Sequence, residues 1–246
     1  MLAAGHGFGL ALFPLGGALV AGVFAAMLTQ RFAARRHPHE GVWAIALWMY
    51  AVAAFAMFLG VVHGWTAGDF RAYWLFGAVL NVPFLFAGEV YLLARNNRLW
   101  PGVFVLALVG LAVFAGVQVF RAPIHPAELR QSLPLGRKVY GTDGLPNLLA
   151  QLYSIPAYFL LLFGLVWSAW GMKGKPQLKD RTLGTFGIAI GATIVAIGSG
   201  IGAAFHIVPL FSVALAAGIL VMFLGFLRAS RPHAPRPQAS PAPARS

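Results

Sequence analysis

Long apolar stretches recur along the whole chain and leave few folds open to it. In a helix, about 20 apolar residues at roughly 1.5 Å each cross the roughly 30 Å hydrocarbon core of a bilayer. Seven stretches meet that length, and the last two are separated by only His206 and Ile207. The predicted spans are Phe8–Gln30, Val42–His63, Phe70–Ala94, Pro101–Phe120, Leu145–Trp170, Leu183–Phe205 and Val208–Leu227. The sequence therefore predicts an all-α, polytopic membrane protein with seven transmembrane helices.

The composition excludes a water-soluble fold. Hydrophobic residues make up 59% of the 246 residues, charged residues make up 10%, and there are six acidic side chains. A soluble domain is typically about 45–50% apolar and about 25% charged. Cysteine is absent, which excludes disulfides, thiol nucleophiles and cysteine-ligated metals.

The basic residues predict the orientation of the chain. Loops after the first, third and fifth predicted spans, with the chain after the seventh, hold 13 of the 18 Lys and Arg and two acids. The opposite loops hold five basic and three acidic residues. Because cytoplasmic loops are enriched in Lys and Arg, we expect the N-terminus outside and the C-terminus in the cytoplasm of a plasma (inner) membrane. These basic side chains are also expected to contact anionic lipid at the cytoplasmic face.

Two segments beside the spans bear on domain organisation. Residues Met1–Gly9 contain no Lys or Arg, whereas a signal peptide has a basic start, so the first span is interpreted as an uncleaved anchor. Five of the 16 prolines lie in Pro232–Pro243, among Ala, Ser and Arg. We therefore predict a seven-helix transmembrane domain over 1–228 and a disordered cytoplasmic tail over 229–246.

Small residues are expected to pack the helices, since lipid supplies no hydrophobic drive between them. The sixth span is the richest in glycine, and a Gly-x-x-x-Gly step joins Gly187 to Gly191. Its glycines are Gly184, Gly187, Gly191, Gly198, Gly200 and Gly202. They predict a closely packed helix face.

Polar groups inside the spans are the candidates for function, because they are costly in hydrocarbon. Glu89 is the only acidic residue within a predicted span, and Arg71 and His63 lie at span ends. One interpretation is structural: the carboxyl group reaches the cytoplasmic side, pairs with Arg95 or Arg98, or stays protonated. The other interpretation is functional: Glu89 binds a proton or a cation.

A second group of polar residues predicts a cavity. Pro83 in the third span frees a backbone carbonyl near position 79, and Asn81 beside it either bonds a neighbouring helix or faces a cavity. The fifth span has polar residues in its outer half, among them Gln151, Tyr153 and Ser154. We predict an outward-facing polar cavity with these four as hydrogen-bonding lining and Glu89 as its charge or proton site; alternatively, the outer ends are simply more hydrated.

His63 and His206 fall at predicted outer ends and suggest haem ligation as an alternative, since imidazole is a common metal ligand. No His-x-x-x-His or Cys-x-x-Cys-His spacing accompanies them, so no metal or cofactor is predicted in the first instance. All four lysines lie in loops, which excludes a retinal Schiff base within the spans. Paired intramembrane aspartates, His-Glu-x-x-His, phosphate-binding loops and nucleic-acid signatures are absent too.

The outer loop Arg121–Gly144 is the longest connection. Pro126 followed by Glu128 predicts a helix start, and the segment 141–144 predicts a turn. A site made by His125, Glu128, Arg130 and Asp143 is the alternative interpretation.

The segment 35–93 resembles an uncharacterised family of bacterial seven-span integral membrane proteins. The residues that carry the resemblance are Arg35-Arg36-His37-Pro38-His39-Glu40, Trp43, Gly64-Trp65-Thr66, Phe70-Arg71, Tyr73-Trp74-Leu75-Phe76-Gly77-Ala78-Val79-Leu80 and Tyr91-Leu92-Leu93. The likeness covers about a quarter of the chain. It implies the seven-span topology and assigns no activity.

Three functions follow as hypotheses. The first is a non-enzymatic membrane protein that binds or transports a small ligand through the predicted cavity. The second is a redox protein with haem held by His63 and His206. The third is a scaffold or sensor whose basic tail meets a cytoplasmic partner.

Overall fold

The computed structural model describes residues 3–94, 99–205 and 207–231, without the side chains of residues 3–8 and 176. Within these residues the chain forms helices and connecting turns and no strand. The helices are α1 Ala3–Arg35, α2 Pro38–His63, α3 Ala67–Tyr73, a π-helical segment Trp74–Leu80, α4 Asn81–Leu93, α5 Leu99–Arg121, α6 Gly136–Val139, α7 Leu145–Met172, α8 Lys179–Ala204 and α9 Val208–Ala229. The third span is thus α3, the π-helical segment and α4 in sequence.

Seven of the described helical segments are long and apolar enough to cross a bilayer, which confirms the predicted count. Several extend past the predicted ends. The first reaches Arg35 instead of Gln30, and the sixth begins at Lys179 instead of Leu183. Because backbone hydrogen bonds continue regardless of side-chain polarity, a helix is not obliged to end where its apolar stretch ends. Of the predicted tail 229–246, Ala229 completes α9, and residues 232–246 lie outside the described residues.

The pair α8 and α9 forms the closest helix contact of the bundle. A Cβ atom at Gly184 would lie 2.4 Å from the backbone nitrogen of Ala229, and one at Gly191 would lie 2.6 Å from the carbonyl oxygen of Gly218. The two backbones therefore meet with no room for side chains, as the glycine pattern predicts. Gly200 differs from this prediction, because nothing lies within 4 Å of its Cβ position.

Helix α5 lies at the edge of the bundle. Its buried residues are Pro101, Leu108, Ala115 and Val119, while large apolar side chains such as Leu106 and Val113 are exposed. Exposed apolar side chains are unfavourable in water but not in the hydrocarbon of a bilayer. The exposed apolar face of α5 is therefore typical of a helix that contacts lipid.

The connection 122–144, called the cap from here on, packs over one end of the bundle. It contains a single 3₁₀ turn, Glu128–Arg130, and the short helix α6. Arg71 of the third span holds its first residue, since Arg71 Nη2 donates to the carbonyl oxygen of Ala122 at 3.1 Å. Just after the cap, Trp74 Nε1 donates to the carbonyl oxygen of Pro146 on α7 at 3.0 Å. The predicted helical turn beginning at Glu128 and the turn within 141–144 are both present.

Aromatic packing fixes the cap on the bundle. Tyr140 is 6% exposed and contacts the rings of Phe70 and Trp74 at centroid distances of 5.6 and 6.2 Å. Burial raises the pKa of Tyr140 to about 12, although the neighbouring Arg71 guanidinium acts in the opposite direction. A Cβ at Gly136 would overlap the ring of Trp74, so the α6 backbone lies directly on that ring.

Candidate functional site

A cavity of about 530 Å³ lies inside the bundle, between α2, the third span, α7, α8 and α9. It begins below the cap, where Tyr73 and Phe211 line it, and it ends near the middle of the bundle at Leu85 and Met222. Its volume falls within the roughly 300–1,000 Å³ of typical small-molecule sites. The cap end is the predicted outer end of the helices, so the cavity lies in the half of the bundle where the sequence predicts one.

The lining is mainly apolar, and in this the structure corrects the predicted polar cavity. Aliphatic side chains such as Leu47, Leu215 and Ile219 form much of the wall. Most of the polar side chains in the wall already have protein partners. Tyr50 donates its hydroxyl to the carbonyl oxygen of Leu215 at 2.8 Å, and Tyr158 donates to Thr193 Oγ1 at 3.2 Å.

Asn81 and Ser154 line the cavity, and both bond to backbone carbonyls of neighbouring helices. Asn81 Nδ2 donates to Ala46 O on α2 at 2.7 Å. Ser154 Oγ on α7 lies 2.5 Å from Ala78 O and 3.3 Å from Val79 O, in the π-helical segment.

The π-helical segment explains why Ser154 is needed. Pro83 has no N–H, so the carbonyl of Val79 loses its usual helical donor. In the preceding π-helical segment the backbone hydrogen bonds join residues five apart instead of four. The freed carbonyl predicted near position 79 therefore does find a donor, on α7. A backbone carbonyl without a hydrogen-bond donor in hydrocarbon costs several kcal/mol. The contact with Ser154 therefore stabilises the cavity wall.

The other predicted site residues lie away from the cavity. Gln151 is exposed on the surface of α7. Tyr153 is half-buried and packs against the apolar core beside the cap. Glu89 is fully buried but lies one helical turn beyond Leu85, which closes the cavity at that end.

Sequence reasoning missed the contribution of α8. Ala192, Ala196, Gly200 and Ala203 all line the cavity and recur at intervals of three or four residues. This spacing places small side chains on one helix face, and that face leaves the space open. The pattern is visible in the sequence, where it is overshadowed by the glycines that pack against α9.

The cavity reaches the surface between α7 and α8. Three of its large lining side chains are also exposed to the surroundings: Ile155 by 53%, Phe159 by 63% and Ile197 by 55%. Further from the cap the gap is closed by the bond between Tyr158 and Thr193. This opening lies along two helices that are long and apolar enough to cross a bilayer.

The predicted alternative of haem ligation concerns His63 and His206. His63 is exposed at the end of α2, and His206 lies outside the described residues. Among the residues that the structure describes, no group of three or more His, Asp or Glu side chains is placed to hold a metal. Ligation by the histidine pair stays a prediction.

Comparisons of this chain with protein-family models, with curated proteins and with solved structures find no match. The resemblance to a bacterial seven-span family therefore stays a prediction.

Proposed function

We propose that this protein is a multi-pass plasma-membrane protein that binds a small, mainly apolar molecule in the cavity below the cap. The observation that carries the proposal is the shape of the cavity, which is large enough for such a molecule and opens between α7 and α8 along the membrane-spanning surface. An apolar ligand dissolved in the bilayer would reach it without crossing water.

The chemistry of the wall supports an apolar ligand. Most of the polar atoms around the cavity are engaged by the protein, so a strongly polar ligand would lose its hydration without regaining equal hydrogen bonds. The Ser154 and Tyr158 hydroxyls each retain an acceptor lone pair, which suits one polar group on an otherwise apolar molecule.

The proposal includes the orientation predicted from the basic loops, with the cap outside the cell and α9 ending in the cytoplasm. We expect reporter fusions after Ser230 to be active only as cytoplasmic reporters, and fusions within the cap only as external ones. The reason is that three spans, α7, α8 and α9, separate the cap from Ser230, and an odd number of spans places the two points on opposite sides of the membrane. A reporter showing the cap and Ser230 on the same side of the membrane would contradict this topology.

Filling the cavity tests the binding proposal. Ala196→Phe would place an aromatic ring in the space that Ala196 now lines on α8. We expect this variant to lose the molecules that copurify with the wild type, as measured by native mass spectrometry from lipid nanodiscs and by solvent extraction.

The matched control is Ala107→Phe, which adds the same ring to an exposed position on the edge helix α5. This variant should keep the bound molecule and its stoichiometry. Equal ligand content in the wild type and in Ala196→Phe, with both folded, would refute the cavity as the binding site.

A further inference from the structure

Glu89 is the one fully buried acidic side chain among the described residues. It is 0% exposed, and both of its carboxylate oxygens lack a hydrogen-bond partner there. Its side chain lies against α7 at Gly164, where a Cβ would be 3.0 Å from Glu89 Cγ and 3.5 Å from Oε1. Glycine at this position therefore leaves the space that the carboxyl group occupies.

The surroundings of this carboxyl group are apolar on the α7 side. Leu85, one turn earlier on α4, packs against a cluster formed by Leu161, Leu165 and Ala189. The described part of the chain offers no cation within 4 Å of Glu89, since its one ion pair joins Arg228 to Asp180. Arg95 and Arg98, the predicted partners, lie outside the described residues.

Ionisable groups on the elements packed against α4 are few at this level. On α2 they are His39 and Glu40, in the first turn of the helix. They lie one turn before Trp43, and the ring of Trp43 packs against Gly88, the residue next to Glu89. The α7 residues beside Glu89 are uncharged, as is the π-helical segment. Helix α5 meets α4 through Phe104 and has no charged residue before Arg121.

An ionised carboxylate in this position would be very unfavourable. Moving an unpaired carboxylate from water into a medium of low dielectric carries a large desolvation penalty, which only a partner charge or hydrogen bonds can offset. A neutral carboxyl group loses only its hydrogen bonds with water, which is a much smaller penalty. Burial without a partner thus favours the neutral acid.

We infer that Glu89 is a proton-binding site within the membrane, a neutral carboxyl group in this conformation whose deprotonation requires α4 and α7 to separate at Gly164. Both helices also line the cavity. Protonation of Glu89 and the shape of the cavity are therefore linked through the contact between α4 and α7 at Gly164. The inference does not depend on what the cavity binds.

A membrane-soluble carbodiimide tests this inference on the wild-type chain in nanodiscs. The neutral acid gives its proton to a carbodiimide nitrogen while a carboxyl oxygen bonds to the central carbon, and an acyl shift to nitrogen yields a stable N-acylurea. The whole reagent is retained, with no leaving group, so peptide mass spectrometry locates the adduct. We expect modification of Glu89 whose yield declines as the pH rises, since the reaction needs the protonated form.

The controls separate this site from other carboxyl groups and from the cavity. Glu89→Gln should lose the adduct, whereas Glu40→Gln, which alters the other buried glutamate, should retain it. A water-soluble carbodiimide should modify the exposed Asp143 and leave Glu89 unmodified. Ala196→Phe should keep the Glu89 adduct even if it loses the cavity ligand. Absence of the adduct from the wild type, or an adduct whose yield does not fall with rising pH, would overturn the inference.

Discussion

Replacing Gly191 by alanine is expected to lower the free energy of unfolding by about 1–3 kcal/mol, the usual cost of overpacking a close contact. The added Cβ would lie 2.5 Å from Met222 Cγ and 2.6 Å from both Met222 N and Gly218 O. Two of these atoms belong to the α9 backbone and cannot move without separating the helices. Thermal unfolding in lipid nanodiscs, followed by the loss of folded protein, measures the effect.

Gly200→Ala is the matched control on the same helix. Its Cβ position has nothing within 4 Å, and alanine is favoured over glycine in a helix by about 0.5–1 kcal/mol. This variant should therefore be as stable as the wild type or slightly more stable. If both substitutions changed the unfolding temperature equally, this result would contradict a close backbone contact between α8 and α9 at Gly191.

Removal of the Ser154 hydroxyl should have an effect of similar size. In Ser154→Ala the carbonyls of Ala78 and Val79 lose the one hydroxyl proton that they share, which we expect to cost about 1–3 kcal/mol. Because these carbonyls belong to the cavity wall, binding of the copurifying molecule should weaken as well. Thermal unfolding and ligand content by native mass spectrometry measure the two effects.

Ser199→Ala serves as its control. The Ser199 hydroxyl also lines the cavity, but it donates at 3.3 Å to Ala196 O within its own helix, so no carbonyl of another segment depends on it. We expect a change in stability of at most about 0.5 kcal/mol, as for substitutions away from such features. A loss as large as that of Ser154→Ala would show that the cross-helix bond is not what stabilises the wall.

The seven spans were predictable from the sequence because crossing a bilayer is a local requirement. Each helix needs its own apolar length, and no distant residue alters that length. The role of Pro83 was predictable for the same reason, since the missing N–H affects a carbonyl four residues earlier. Which helix would supply the donor was not predictable, because Ser154 lies on another span.

The rotation of each helix about its axis explains why part of the site was missed. In a soluble protein the apolar stripe marks the buried face, but in a membrane both the lipid-facing and the buried faces are apolar. Ser154 and Gln151 are three residues apart on α7, yet Ser154 lines the cavity and Gln151 is exposed. Polar residue type alone could not separate them.

The apolar character of the cavity was hidden by a related difficulty. The sequence shows that Asn81 is polar, but it does not show that Ala46 O accepts the hydrogen bond from its amide. A count of polar side chains therefore overestimates the polarity of a cavity whenever those groups bond to the surrounding helices.

Photolabelling in a bilayer tests the binding cavity most directly. A bilayer-soluble alkyl diazirine would be activated in nanodiscs containing the full chain, and its adducts mapped with and without an excess of the unreactive parent molecule. We expect adducts that the competitor removes on the lining of α7 and α8, from Ser154 to Phe159 and from Ala196 to Ala203. Adducts on exposed α5 positions such as Leu106 should resist competition. Labelling of α7 and α8 that resists competition to the same extent as α5 would contradict a binding cavity open to the membrane.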